Sequence, residues 1–295
     1  MHTRYIVSMS NRLPRPLKKV QFARKCVFCE VNNANSREHF YSEWMHELLP
    51  LGPEHKYSGE TIDEHPKTRV VSKHDKRTKP GELFTKKMKV VCASCNNTWM
   101  SVIEEAVKPL LTPIIKGEAV TVEAGDLELI ARWATLKAIV SEHDRRNTEV
   151  TPQNDRTAFM TNGIIPQYFN IYLMSHKCAS KIGYVRTSQA VSLAKDGPVP
   201  PLEGRQKNTQ QISVILGSAM LHINAARVDG FEIEDRLNMP KVVARRIWPP
   251  NIAPLTWPDE PVLTCDQMRD LAYAMDKIMA LPEAKWGGDL PPVAT

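Results

Sequence analysis

Apolar residues recur at helical spacing between Asp126 and Glu142, where Leu127, Ile130, Ala131, Ala134 and Ala138 share one face and Asp126 is placed to cap the N-terminus. Thr264 to Leu281 (TCDQMRDLAYAMDKIMAL) predicts another helix, with Thr264 as its cap. A short helix is expected over Phe40 to Leu49 and is stopped by Pro50; another starts at Asn96, with Trp99 and Ile103 four apart on one face and Pro109 and Pro113 limiting or interrupting it. Tyr168 to Met174 (YFNIYLM), Ile182 to Arg186 and Lys86 to Val91 read as strands. Gln211 to Leu216 and Met220 to Ala225 flank Gly217-Ser218 and read as a β-hairpin. From Pro50 to about Gly81 the chain is polar and turn-rich, a long excursion of the kind kept for functional or moving segments. Pro198 to Lys207 reads as a surface loop, and Pro14 and Pro16 argue against a helix near the start. No internal repeat is visible. The pattern predicts an α+β protein in three parts: an N-terminal arm (1–25), a small module (26–116) and a mixed α+β C-terminal domain (117–295).

Composition permits a sizeable core, since 42% of the 295 residues are hydrophobic. No stretch reaches the ~18 apolar residues a membrane helix needs. The first residues lack the continuous apolar run of a signal peptide, so a cytoplasmic location is expected and no membrane partner. Charge is distributed unevenly. Residues 1–89 hold 18 Lys/Arg against 10 Asp/Glu, whereas the whole chain is only +6. The arm supplies Arg4, Arg12, Arg15, Lys18, Lys19, Arg24 and Lys25 with no acid, and 66–91 supplies nine more cations against Asp75 and Glu82. Two basic segments around one module suit a polyanion surface, because neutralising phosphates releases counterions. A solvated basic loop without a partner is the alternative.

Four of the six cysteines stand as two CxxC pairs, Cys26-Val27-Phe28-Cys29 and Cys92-Ala93-Ser94-Cys95. In a reducing compartment such pairs bind metal more often than they oxidise. Two tight turns aiming four thiolates at one point make the closed tetrahedral set of a structural zinc site. Two unrelated thiol pairs or an iron-sulfur site are the alternatives. Neither pair sits in a thioredoxin-like strand-helix context. Cys178 and Cys265 stand alone and are expected as ordinary structural thiols.

Two short tags accompany the pairs: Glu38-His39 lies between them and Asn96 directly follows the second. In this sequence the order reads C-V-F-C, R-E-H-F, then C-A-S-C-N-N-T-W-M. It resembles the zinc-containing HNH endonucleases with the ββα-metal fold, and the likeness to bacterial HNH-type proteins extends over about residues 26–140. The resemblance implies that His39 is the general base, that Glu38 and Asn96 hold a catalytic Mg²⁺ or Mn²⁺, and that Cys26, Cys29, Cys92 and Cys95 hold Zn²⁺. It implies DNA as the substrate, with RNA less favoured, and cleavage to 5′-phosphate and 3′-hydroxyl ends. The residue types suit those roles. A neutral imidazole can take a proton from water at neutral pH. Carboxylate and amide oxygens are hard ligands for such an ion, which can stabilise charge on phosphate and leaving oxygen. The chain departs from the pattern in one respect. No Asn occurs from Phe40 to Val91, where the family's middle residue usually lies, so His46, His55, His65 or His74 must substitute, His74 first among them, or the insertion replaces that brace. A non-catalytic zinc module that binds DNA or protein is therefore the rival expectation. Trp44 and Trp99 are expected to pack in the core. The sequence carries no signal for oligomeric state.

Overall fold

The computed structural model describes residues 24–49, 61–65, 68–72, 87–144, 147–190, 207–229, 231, 244–250 and 253–275, with 61–65 and 68–72 as backbone. The chain enters through the first cysteine turn and forms β1 (Ser36–His39). The helix expected over Phe40 to Leu49 is only a 3-10 turn, Glu43–Glu47. The polar excursion contains an antiparallel ribbon of β2 (Thr61–His65) and β3 (Thr68–Ser72). β4 (Lys87–Val91) then returns to pair antiparallel with β1, matching Ser36 to Val91, Glu38 to Met88 and His39 to Lys87, with an irregularity between Ser36 and Glu38. Behind β4 come the second cysteine turn, with α1 (Ala93–Cys95), a π-helical turn at Asn96–Met100, and α2 (Ser101–Lys116). Two antiparallel strands thus lead directly into a helix at the cysteines.

The prolines do not interrupt α2. Pro109 and Pro113 lie inside it, and Val107, Leu111, Ile114 and Ile115 form a buried stripe that joins the same core as the next helix. Proline cannot donate to the carbonyl four residues back. Here those carbonyls belong to residues 105 and 109, both exposed, where water can serve them. Packing of the stripe outweighs the local cost. The helix ends at Gly117, which adopts a left-handed φ of 77°.

β5 (Val120–Val122) precedes α3 (Ala124–Ser141), which begins two residues earlier than expected, with Glu123 as cap and Asp126 inside the first turn. All five apolar positions read from the sequence are buried, but so are Trp133, Thr135, Leu136, Lys137, Ile139, Val140 and Ser141. The helix runs through the middle of the protein, between α2 and the main sheet. α4 (Gln153–Asn162) follows; its sequence, QNDRTAFMTN, has no apolar period and gave no helix signal.

The main sheet is built from β6 (Phe169–Ser175), β7 (Ile182–Gln189), β8 (Thr209–Leu216), β9 (Ala219–Ala226) and β10 (Arg245–Trp248), in the antiparallel order β10-β6-β9-β8-β7. The expected hairpin is present, turning at Gly217-Ser218. Gly217 has φ 63°, and a Cβ there would lie 2.1 Å from the Ile115 carbonyl oxygen. The turn sits this close because it caps α2: Ser218 N–H donates to Ile115 O at 2.9 Å and Ser218 Oγ to Ile114 O at 2.7 Å. Ile171, Leu173, Leu221 and Ile223 pack with α3 on one face of the sheet. Tyr172, Met174 and Met220 meet Met268 and Leu271 of α5 (Cys265–Ala272) on the other. Thr264 caps α5 in a capping box with Gln267, as expected. β11 (Leu255–Trp257) pairs with β5.

Cys178 and Cys265 are not lone thiols. They form a disulfide, with Cα atoms 5.5 Å apart, that ties the segment after β6 to the first residue of α5. The sequence pattern hid the pair because 87 positions separate its members. A single buried cluster runs from Cys26 through Trp257, so the cysteine module and the sheet share one core. No described helix is long and apolar enough to cross a membrane.

Candidate metal centre and the Glu38–His39 strand

The four cysteines converge. Their sulfurs all lie within 4.8 Å of one another, and Cys29 Sγ is 3.8 Å from Cys92 Sγ. Four thiolates around one tetrahedral ion with Zn–S near ~2.3 Å place neighbouring sulfurs about 3.8 Å apart. The spacing therefore fits one ion such as zinc. Local backbone shapes each turn. Glu30 N–H donates to Cys26 O at 3.0 Å, and Cys95 N–H donates to Cys92 Sγ at 3.3 Å. Asn35 Oδ1 accepts from Ala93 N–H at 2.8 Å, pinning the second turn to the first loop. The two turns are joined by Val27 N–H donating to Val90 O at 3.0 Å.

Electrostatics favour thiolate at Cys92. Burial raises the Cys92 thiol, but the Cys95 N–H and the neighbouring sulfurs pull it down to about 7. Cys26 and Cys95 are pushed up, chiefly by burial. A metal ion would deprotonate the set. Aromatic rings close the surround: Phe28 meets Trp99 edge-on at 4.9 Å, and Trp99 meets Phe159 of α4 at 5.9 Å. Trp99 thus packs in the core, as expected. α4 is a support the sequence reading missed, and Gln153 Nε2 donates to Phe28 O at 2.8 Å.

Glu38 and His39 end β1, and Asn96 is the first residue behind the second cysteine turn. Asn96 Nδ2 donates to Ser36 Oγ at 2.9 Å. Ser36 is two positions before Glu38, roughly 7 Å along a strand. The cysteine frame thus fixes Asn96 against the strand that carries Glu38 and His39. Asn96 Oδ1 and Glu38 Oε2 make no hydrogen bond among the described residues. His39 is half-buried; burial lowers its pKa, helped by the Lys87 charge and opposed by Glu43 and Glu38. Its ring is in the neutral, proton-accepting form at neutral pH. Of the histidines considered for the missing middle position, His46 stands beside it, with ring centroids 5.9 Å apart. His55 and His74 lie outside the described residues, as do most of the basic arm and of 66–86; His65 is described as backbone. Around His39, Arg37, Lys87 and Lys89 of β1 and β4 are exposed, giving this ribbon a cationic outer side.

The inner side holds a feature no sequence signal had singled out. Lys137 of α3 places Nζ 2.6 Å from Glu38 Oε1, 2.6 Å from Glu104 Oε1 and 2.9 Å from His39 O. Burial opposes the ammonium, but Glu104 and Glu38 raise its pKa, so it stays charged. Glu104 is saturated: Trp133 Nε1 donates to Oε1 at 3.0 Å, and Trp44 Nε1 at 3.2 Å and Ser42 Oγ donate to Oε2. Trp44 is therefore a packing and anchoring residue. The one hint in the sequence was a lone lysine within the apolar run ATLKAIV. Among the described residues, the four cysteines are the only group of three or more His, Cys, Asp or Glu side chains placed to share an ion. No family model, curated protein or solved structure matches the chain.

Proposed function

We propose that this protein is a zinc-framed, HNH-type endonuclease that hydrolyses phosphodiester bonds of DNA. The observation that carries the reading is the Asn96–Ser36 hydrogen bond, which ties the residue behind the second cysteine turn to the Glu38–His39 strand. The succession of β1, β4 and a helix starting at the cysteines is the order a ββα-metal module requires. In this reading Zn²⁺ on Cys26, Cys29, Cys92 and Cys95 is structural. Glu38 and Asn96 would hold Mg²⁺ or Mn²⁺, which would supply Lewis acidity to the phosphate and the leaving 3′ oxygen. His39, held neutral, takes the proton from the attacking water. Arg37, Lys87 and Lys89 contact the phosphate backbone without reading sequence. Cytoplasmic action suits four reduced thiolates; the Cys178–Cys265 disulfide pulls the other way, and its redox state in cells decides the point.

Incubating zinc-loaded protein with supercoiled plasmid and Mg²⁺ or Mn²⁺ tests the proposal. Nicking is expected, with a loss of at least ~100-fold in His39→Ala. Undiminished nicking in that variant sinks the mechanism. One observation favours a second reading: no Asn occurs from Phe40 to Val91, where the family's middle residue is expected. A non-catalytic zinc module would bind DNA in a salt-sensitive way, unaffected by His39→Ala, and would not cleave with any divalent ion.

A further inference from the structure

The ammonium of Lys137 has three protons, and three acceptors surround it: Glu38 Oε1, Glu104 Oε1 and the His39 carbonyl. None is left for a substrate, and the side chain is 4% exposed. A group so placed cannot touch DNA or a reacting atom. It does touch both members of the Glu38-His39 pair, one through the side chain and the other through the backbone.

Its own position is fixed from behind. Glu104 on α2 takes Lys137, Trp133 and Trp44 together with Ser42, so every lone-pair direction of that carboxylate is used. Glu104 is an anchor rather than a metal ligand. Glu38 differs. Its Oε1 is engaged by Lys137, and Oε2 has no partner among the described residues. Glu38, itself a buried residue, thus has one oxygen held by Lys137 and the other left unpaired among the described residues.

We infer that Lys137 is a positioning residue of the hydrolytic site: from a helix outside the zinc module, it sets the Glu38 carboxylate and the His39 backbone in one grip, anchored by Glu104. The inference rests on the endonuclease reading. It also assigns the C-terminal part of the chain a role, since α3 carries Lys137 and the zinc module alone lacks this support.

Lys137→Met alone leaves two buried carboxylates uncompensated and can unfold the chain. The test therefore uses the double variant Lys137→Met/Glu104→Gln, which removes one charge of each sign at nearly constant volume. The variant is compared with Glu38→Gln and with the triple combination, all zinc-loaded. In the double variant, kcat for plasmid nicking is expected to fall at least ~30-fold, while KM and metal-free DNA affinity stay within ~threefold. Because Lys137 acts largely through Glu38, the triple variant is expected to lose far less than the product of the two separate losses. Three results overturn the inference while leaving the endonuclease reading intact: a double variant as active as the parent, losses that multiply, or a fall in kcat matched by lost zinc and lost DNA affinity. A parent that does not nick sinks both.

Discussion

The sulfurs of Cys29 and Cys92, 63 positions apart in sequence, lie 3.8 Å apart in space. Closing so long a loop costs entropy, which a shared metal ion would offset. The purified protein is expected to carry one zinc per chain. Cys29→Ser or Cys92→Ser should abolish it, as measured by elemental analysis. Because the buried cluster runs from Cys26 into the main sheet, metal loss is also expected to lower the melting temperature of the whole chain. Equal zinc content in mutant and parent would contradict the four-cysteine site.

The cationic outer side of the β1–β4 ribbon makes a separate prediction that needs no cleavage. Arg37 and Lys89 are exposed, so their replacement should leave the fold intact. If both neutralise phosphates, Arg37→Gln/Lys89→Gln lowers the slope of log Kd against log salt by about 2 and weakens duplex binding severalfold at low salt. Fluorescence anisotropy without divalent ions reads both. Lys108 is an exposed lysine on α2 and serves as control. An equal effect of Lys108→Gln would reduce the ribbon to part of a diffuse positive surface.

The cysteine frame was legible because ligand chemistry demands specific residue types at short spacing, and the structure brings all four together. Strands β6 to β9 were legible because runs such as YFNIYLM and QISVIL combine β-branched and aromatic residues with a Gly217-Ser218 turn. Helix α2 was half legible: the start at the cysteines was visible, but the prolines obscured a helix that tertiary packing sustains. Lys137 was hidden because its meaning depends on partners 33 and 99 positions away, Glu104 and Glu38. The disulfide was hidden for the same reason, since long-range pairing leaves no local period.

The Cys178–Cys265 bridge fastens α5 to the segment after β6, and the buried contacts of Met268 and Leu271 depend on that docking. A cross-link closing a loop of this length stabilises a fold by about 2–4 kcal/mol. Reduction, or Cys265→Ser, is expected to lower the melting temperature by several degrees and to raise amide exchange across 265–272. Mass spectrometry of the non-reduced protein checks the bridge directly. Unchanged melting in dithiothreitol, with the bridge shown to be reduced, would mean that packing alone holds the helix.

Acid sensitivity should come from the sheet. His222, fully buried on β9 with Nδ1 2.8 Å from Ser213 Oγ, is lowered by burial to about 3; His176 is lowered, again chiefly by burial, to about 4. An unfolded histidine titrates near ~6.5. Between that value and the folded one, the unfolded chain binds more protons, so stability falls as pH falls. The loss begins near pH 6.5 and continues toward 4 for His176 and 3 for His222. Each such group contributes a slope of about 1.4 kcal/mol per pH unit inside its window. Urea unfolding at pH 6.0 and 5.0 measures it. His222→Asn removes one titrating group and should flatten the dependence by about that amount. A variant with the parent's slope would show that His222 is not held neutral by the sheet.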